Sequence, residues 1–240
     1  MHVAVERVVS SFLNRADGVL PAGYSAVLYG SAARGDFVPE WSDINLMIVA
    51  ETLSPDLLRA LGRGLDEWRR ASREPPLLIT GAEWVRAVDV FPIEITDMRE
   101  ARQVLRGPDP VSGLRPAAAD LRAALERELR GKLLRLRQGY AARAGDEAAL
   151  GDLATHSTST ILVLLRGILA LHDRPIPSAP LEVVSAAGSL MGMGAEGLSD
   201  VVRHRGERGW RCGAAVFESY LDAVARTAGF VDQLKLGDQR

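Results

Sequence analysis

The sequence predicts an α+β fold, with a mixed sheet and helices in the first half and an all-helical bundle in the second. The first observation is an apolar strand, a Gly-Ser turn and a second strand between residues 25 and 49. The second is the alternation of strand and helix patterns up to about residue 107. The third is the purely helical spacing of apolar residues from about residue 115 onward, which is typical of a bundle.

The first half opens with apolar residues on one helical face, namely Val5, Val8, Val9, Phe12 and Leu13. Ser54 followed by Pro55 predicts the start of a helix that runs to about Arg70, because serine caps helices and proline suits their first turn. Strands are predicted at residues 25–29, 42–49, 77–80 and 87–96. Pro92 places the last of these at an edge or a bulge.

The segment from Gly107 to Gly113 is dense in turn residues and predicts a domain boundary, with domains at residues 1–110 and 111–240. Beyond it, apolar residues step by three and four positions and predict successive helices. The faces are Leu121 to Tyr140, Leu150 to Ile168 and Phe217 to Val231, with shorter helices predicted at residues 181–193 and 197–204.

Composition narrows the classes of function. The net charge of −2 favours neither a nucleic-acid partner nor adsorption to a membrane. Cys212 is the single cysteine, which excludes an intramolecular disulfide and a cysteine metal site. The longest apolar run, residues 161–171, is too short to span a bilayer and contains Arg166. The N-terminal residues lack the layout of a signal peptide, so we expect a cytoplasmic location.

The most informative motif joins the first two predicted strands. The first strand runs into Gly30 and Ser31, and Ser31 is the predicted N-cap of a short helix. A Gly-Ser turn that enters a helix offers backbone N–H groups and a hydroxyl to a phosphate. In the second strand, Asp43 and Asn45 are two residues apart, so their side chains are expected on one side while Ile44 and Leu46 face a core.

This pattern resembles the signature of the polymerase-beta-like nucleotidyltransferase superfamily, which is Gly-Ser, a spacer and then Asp-x-Asp. The resemblance implies that Gly30, Ser31 and Arg34 bind a nucleoside triphosphate such as ATP, which arrives with Mg²⁺. It implies transfer of a nucleoside monophosphate to an acceptor hydroxyl as pyrophosphate leaves. In the family two aspartates hold the metal ions, and here Asp43 takes the first position and Asn45 the second.

In this family a third carboxylate lies on a later strand and can accept the proton of the acceptor. Glu94 is our choice for that position, and Asp89 is the alternative. The resemblance therefore gives Asp43 and Glu94 as catalytic residues, and Asp43, Asn45 and Glu94 as metal ligands. We expect these three side chains to converge in the cleft between the two halves, with Ser31 nearby.

Asn45 departs from the family signature. Its amide oxygen can ligate a metal but carries no charge, and losing a carboxylate there can slow the reaction roughly hundredfold. Two functions follow: an enzyme that transfers a nucleoside monophosphate to a small-molecule or protein hydroxyl, or a degenerate relative that binds nucleotide or a protein partner without turnover.

The segment from Phe91 to Pro110 also resembles a group of bacterial nucleotidyltransferase-domain proteins with a helical second half. Similar two-part architectures occur in aminoglycoside nucleotidyltransferases, but no residue here marks an antibiotic site. Arg166 and His172 have a spacing found in helical RNA-cleaving domains of the HEPN type. Because the chain is rich in arginine, about one arginine–histidine pair at this spacing is expected by chance. The sequence leaves open the acceptor and the preferred base. It also leaves open the oligomeric state, for which a homodimer is one possibility.

Overall fold

The computed structural model describes residues 2–39 and 41–235. The chain divides into two compact units, Met1–Arg115 and Pro116–Arg240. The first unit contains, in chain order, α1 (Val3–Asp17), β1 (Ser25–Tyr29), α2 (Ser31–Arg34), β2 (Asn45–Ala50), α3 (Pro55–Gly62), α4 (Leu65–Ala71), β3 (Leu77–Thr80), α5 (Gly81–Arg86), α6 (Pro92–Glu100) and β4 (Arg102–Arg106).

The four strands form a mixed sheet in the order β3-β2-β1-β4. Strand β1 is antiparallel to both β2 and β4, whereas β2 and β3 are parallel. The register pairs Tyr29, the last residue of β1, with Asn45, the first residue of β2. The end of β1 and the beginning of β2 therefore lie side by side, and this brings the Gly-Ser turn next to the polar segment that precedes β2.

The sheet is buried on both faces. On one face, Leu28, Leu46 and Ile48 pack with Phe12 of α1 and Trp68 of α4 in a single apolar cluster. On the other face, a second cluster contains residues from β1, β2, β3, α5 and α6, namely Val27, Met47, Ile79, Trp84, Ile95 and Met98. Apolar side chains that alternate between two buried faces give the strands their near-continuous hydrophobic character.

Two predicted elements in this unit are wrong. The strand expected over residues 87–96 is a turn followed by α6, in which Pro92 occupies the first helical turn. Proline is favoured there because its missing N–H has no partner in a helix and its φ angle is already helical. The single helix expected from Ser54 to Arg70 is two helices, α3 and α4, separated at Arg63 and Gly64. Ser54 caps α3 as predicted, since its side chain accepts a hydrogen bond from the Leu57 N–H.

The predicted strand at residues 42–49 also begins later than expected. Strand β2 starts at Asn45, so Asp43 lies in the loop before it rather than on the strand. Strand β4, Arg102–Arg106, was not predicted at all. The strands at residues 25–29 and 77–80 have the predicted limits.

The second unit is helical throughout its described part. Its helices are α7 (Ala118–Arg143), α8 (Glu147–Leu171), α9 (Pro180–Met191), α10 (Glu196–Arg203) and α11 (Ala214–Gln233). The prediction of a mixed sheet with helices followed by a mainly helical region is confirmed.

Helix α8 is the central element of the second unit. It has 25 residues and by length and composition could cross a membrane, but 67% of its most apolar window is buried within the protein. Its buried residues include Leu165 and Ile168, and α7, α9, α10 and α11 all pack against it. A helix that is apolar on most of its circumference is expected when other helices surround it, so its composition reflects its place in the core.

Candidate functional site

The turn between β1 and α2 has a backbone that requires glycine. Gly30 precedes α2 as its N-cap with φ of 70° and ψ of −150°, and Ser31 is the first helical residue rather than the cap. A Cβ atom at position 30 would lie 2.6 Å from Nδ2 of Asn45. Because the conformation is strained for other residues and the space is filled, glycine is required here on two grounds.

Asn45 stands beside this turn because it opens β2 opposite Tyr29. Its side chain is half-buried, and its Nδ2 atom faces Gly30. Of the predicted nucleotide-binding and metal residues, the structure therefore brings Gly30 and Asn45 into direct proximity. Ser31 follows Gly30 immediately and is partly exposed.

Asp43 is held by the segment that follows α4. Its Oδ1 atom accepts hydrogen bonds from the backbone N–H of Arg73 at 3.0 Å, from Nε of Arg73 at 3.4 Å and from Oγ of Ser72 at 3.4 Å. No hydrogen bond reaches Oδ2 from any residue that the structure describes. The Asp43 side chain is 25% exposed, and the contacts that hold it in place are made through Oδ1.

Arg34 has a different environment from the one expected of a nucleotide ligand. Its Nη1 atom lies 2.7 Å from Oδ1 of Asp97 on α6, and both side chains are only 8% exposed. Its Nε atom is 3.6 Å from Asp36. The predicted role of Arg34 in nucleotide binding stays a prediction.

Glu94 lies in the first turn of α6 and is exposed, so it is not on a strand as predicted. Burial, together with the negative charges of Glu94, Asp97 and Glu74, raises the pKa of Tyr29 to about 12. Glu94 is therefore close enough to the end of β1 for its charge to act there. Asp89, the alternative third carboxylate, is exposed in the turn before α6. The catalytic role of either residue stays a prediction.

Asp43 and Asn45 offer donor atoms that could contribute to a magnesium site, but they do not form a complete set of metal ligands. Asp43 offers the free Oδ2 atom and Asn45 offers an amide oxygen, both of which are hard ligands of the kind Mg²⁺ prefers. Within residues 2–39 and 41–235, no group of three His, Cys, Asp or Glu side chains is arranged to hold a metal ion. Asp43 and Asn45 therefore fit a magnesium ion only if other groups supply its remaining ligands.

Sequence reasoning missed Ser72, Arg73 and Glu74. Ser72 ends α4, and its buried Oγ accepts a hydrogen bond from the Ile44 N–H at 3.0 Å. These residues lie about thirty positions from Asp43, and none belongs to a motif. A serine after a predicted helix is a weak signal of a C-terminal boundary, but nothing in the sequence indicates its long-range contact.

The helical unit contains a separate groove of about 460 Å³ between the end of α8, the loop after it and α9. Its walls are mostly apolar, and Arg174 is the charged residue in its lining. His172, at the end of α8, packs against Phe230 with ring centroids 5.7 Å apart, whereas Arg166 is buried within the helix. The structure therefore does not place Arg166 and His172 on a shared surface, and it adds no support to the hypothesis of an RNA-cleaving pair.

Comparison with known proteins places the fold. No family model and no curated protein sequence matches the chain. Among solved structures, the spectinomycin adenyltransferase AAD(9) from Enterococcus faecialis, determined with ATP and spectinomycin, matches with a TM-score of 0.60. The match covers 95% of this chain and 99% of that one at 12% sequence identity. The chain thus has the fold of a polymerase-beta-like nucleotidyltransferase with a helical C-terminal half, which confirms the resemblance at the level of fold.

Proposed function

We propose that this protein is a nucleotidyltransferase that moves a nucleoside monophosphate from a nucleoside triphosphate, such as ATP, to a hydroxyl group of a small molecule or protein. The observation that carries the proposal is the fold, which matches an adenyltransferase solved with ATP over almost its whole length. Within that fold, the Gly30 turn packs against Asn45 at the beginning of β2, and Asp43 lies two residues before Asn45. Fold alone does not determine chemistry, so these residues supply the second support.

Each residue has a role in this proposal. The backbone at Gly30 and the hydroxyl of Ser31 bind phosphate oxygens. Asp43 and the amide oxygen of Asn45 would hold the Mg²⁺ that accompanies the triphosphate, and this ion would neutralise phosphate charge. The acceptor oxygen forms a bond to the α-phosphorus while the bond from that phosphorus to pyrophosphate breaks. Glu94, exposed and near the end of β1, takes the proton that the acceptor hydroxyl loses.

A second function is favoured by two specific observations. Asn45 supplies no charge, and the described residues contain no three-membered metal cluster. A protein with this fold and a weakened metal site could bind a nucleotide or a protein partner without catalysing transfer. This degenerate form shares the binding site of the enzyme and differs from it only in turnover.

Calorimetric titration tests whether the protein has a nucleotide-binding site. The full chain is titrated with ATP, GTP, CTP and UTP, each with and without Mg²⁺, and Asp43→Ala serves as the control. We expect magnesium-dependent binding of at least one triphosphate, which Asp43→Ala abolishes. If none of the four binds under either condition, the enzyme and the nucleotide-binding form of the degenerate protein are both excluded.

A second measurement separates the enzyme from the degenerate protein. Triphosphate labelled at the α-phosphate is incubated with the protein and a panel of hydroxyl-bearing acceptors, which includes spectinomycin and small proteins. Label transfer together with pyrophosphate release supports the enzyme. Magnesium-dependent binding without pyrophosphate release for the whole panel supports the degenerate protein.

A further inference from the structure

We infer that Arg73 is a triphosphate-binding residue of this site and that it exchanges Asp43 for phosphate oxygens when nucleotide binds. The inference rests on the proposed nucleotide-binding function and adds a residue that neither the motif nor the fold match identifies. Three observations carry it: the fixed position of the Arg73 backbone, the loose contact of its guanidinium group, and the charge balance around Asp43.

The Arg73 backbone is fixed beside Asp43. Its N–H donates to Asp43 Oδ1 at 3.0 Å. The preceding residue, Ser72, is 7% exposed and accepts a hydrogen bond from the Ile44 N–H at 3.0 Å. The Ser72 hydroxyl also donates to the backbone carbonyl of Glu74 at 3.2 Å. These bonds join the end of α4 to the loop before β2, so the Cα atom of Arg73 keeps its distance from Asp43 whatever its side chain does.

The guanidinium group, in contrast, is weakly held. Its Nε lies 3.4 Å from Asp43 Oδ1, and the side chain is 60% exposed. Nη1 and Nη2 donate no hydrogen bond to any residue that the structure describes. An exposed pair of this geometry contributes little to stability, so little free energy is lost when the guanidinium moves to another anion.

Charge balance indicates which anion it takes. With a neutral amide at Asn45, the Asp43 and Arg73 charges cancel at this corner of the site. A triphosphate with one Mg²⁺ still carries net negative charge and needs a further cation. The planar guanidinium fork matches paired phosphate oxygens. Arg34, the arginine of the motif, is already paired with Asp97 in a buried contact.

The test compares ATP with AMP on the full chain by calorimetry in the presence of Mg²⁺. The variants are Arg73→Ala, Arg73→Gln, which keeps a polar side chain of similar reach, and Arg73→Lys. Arg69→Ala is the matched control, because Arg69 is similarly exposed and is paired with Asp66 on the same helix segment. Thermal melting of each variant confirms that it is folded, and Arg73→Gln replaces Arg73→Ala if the latter is not.

We expect Arg73→Ala and Arg73→Gln to weaken ATP binding about tenfold or more, because hydrogen bonds to charged groups are lost. Binding of AMP should fall by less than about threefold, since AMP lacks the β- and γ-phosphates. Arg73→Lys should retain part of the affinity, and Arg69→Ala should match the natural protein. Mg²⁺ alone should bind Arg73→Ala at least as well as the natural protein, because a competing cation has been removed.

Two outcomes overturn the inference while leaving the proposed function intact. In the first, the natural protein binds ATP and both Arg73 variants bind it equally well. In the second, ATP and AMP lose affinity to the same extent, which would mean that Arg73 supports the local structure rather than the outer phosphates. If the natural protein binds no triphosphate, the inference and the proposed function fail together.

Discussion

Two arginine–carboxylate pairs of the first unit have opposite environments. Arg34 and Asp97 are 2.7 Å apart, and each side chain is 8% exposed. Arg73 and Asp43 are 3.4 Å apart, with side chains that are 60% and 25% exposed. Arg34 belongs to the segment that resembles a nucleotide-binding motif, whereas Arg73 lies outside it.

Burial determines what each pair can do. Removing two charges from water has a cost that only a well-paired geometry offsets, so a buried pair is strongly destabilised when one partner is lost. An exposed pair contributes little and can be exchanged for a ligand. Arg34, which is close to the Gly-Ser motif in sequence, is therefore held in a buried pair, whereas Arg73, which follows α4, is held in an exposed one.

The largest expected effect is on the buried pair. Asp97→Asn removes the charge that balances Arg34 and should lower the free energy of unfolding by about 3 kcal/mol. Asp36, 3.6 Å from Arg34, offers partial compensation and keeps the loss near the lower end of the range. Chemical denaturation measures the change.

The control for this variant is Asp66→Asn, which breaks an exposed pair with Arg69. Its loss should be below about 0.5 kcal/mol. Equal losses in the two variants would contradict the distinction between buried and open pairs.

The second prediction concerns the turn at Gly30, between β1 and α2. Gly30→Ala should lower the free energy of unfolding by about 2 kcal/mol, because its φ of 70° is strained for alanine. The new methyl group would also displace the Asn45 amide, because its carbon would lie 2.6 Å from Nδ2 of Asn45. Gly62→Ala, where a Cβ meets open space without a positive φ, is the control and should be nearly neutral. A loss of similar size at Gly62 would remove the argument from geometry.

Much of the fold could be predicted from the sequence, since apolar periodicity identifies elements that bury one face. Strands β1 and β3 and the helices of the second unit follow from that signal. Helix α6 did not, because most of its residues are buried, including Ile93, Ile95, Thr96 and Met98. A short helix buried on most sides loses the spacing of three and four residues, and its apolar content then resembles a strand. Strand β4 was missed for the opposite reason, because it is a polar edge strand.

The candidate site was predicted only where it is local in sequence. The Gly-Ser turn and the following strand are separated by fifteen or so residues, and a known motif links them. The contacts of Asp43 with Ser72 and Arg73, and of Arg34 with Asp97, join residues about thirty and sixty positions apart. Such contacts depend on how the helices pack on the sheet, which no local pattern encodes.

The third prediction adds a pair of intermediate exposure. Arg102 and Asp109 are 24% and 27% exposed, and the guanidinium donates to both oxygens of Asp109. The hydrogen bonds from Arg102, and to a lesser extent those from backbone N–H groups, lower the pKa of Asp109. Asp109→Asn should therefore lower the free energy of unfolding by about 1 kcal/mol at neutral pH, between the buried and the exposed pairs.

This loss should depend on pH with a definite sign. Because the pKa of Asp109 is lowered in the folded protein, its contribution is present above the unfolded pKa of about 4 and disappears as pH falls through the folded value. Urea denaturation from pH 7 to pH 3 should show a constant difference between natural protein and variant down to about pH 5 and a shrinking one below. A difference that persists unchanged at pH 3 would mean that shape, rather than charge, accounts for it.

The smallest expected effect on stability, and the most informative for function, comes from Asn45→Asp. The variant places a second carboxylate next to Gly30 and two residues from Asp43. Without metal, the two carboxylates repel each other, which raises the pKa of one and lowers stability by less than about 1 kcal/mol.

Magnesium and ATP together should reverse this loss, because a carboxylate neutralises metal charge better than an amide oxygen does. The melting temperature should therefore be lower than that of the natural protein without ligands, and should rise more when both ligands are added. Pyrophosphate release should also increase if a suitable acceptor hydroxyl is present. A melting response identical to that of the natural protein would mean that residue 45 does not face a metal, and Asp43 would then be the one motif residue left to hold it.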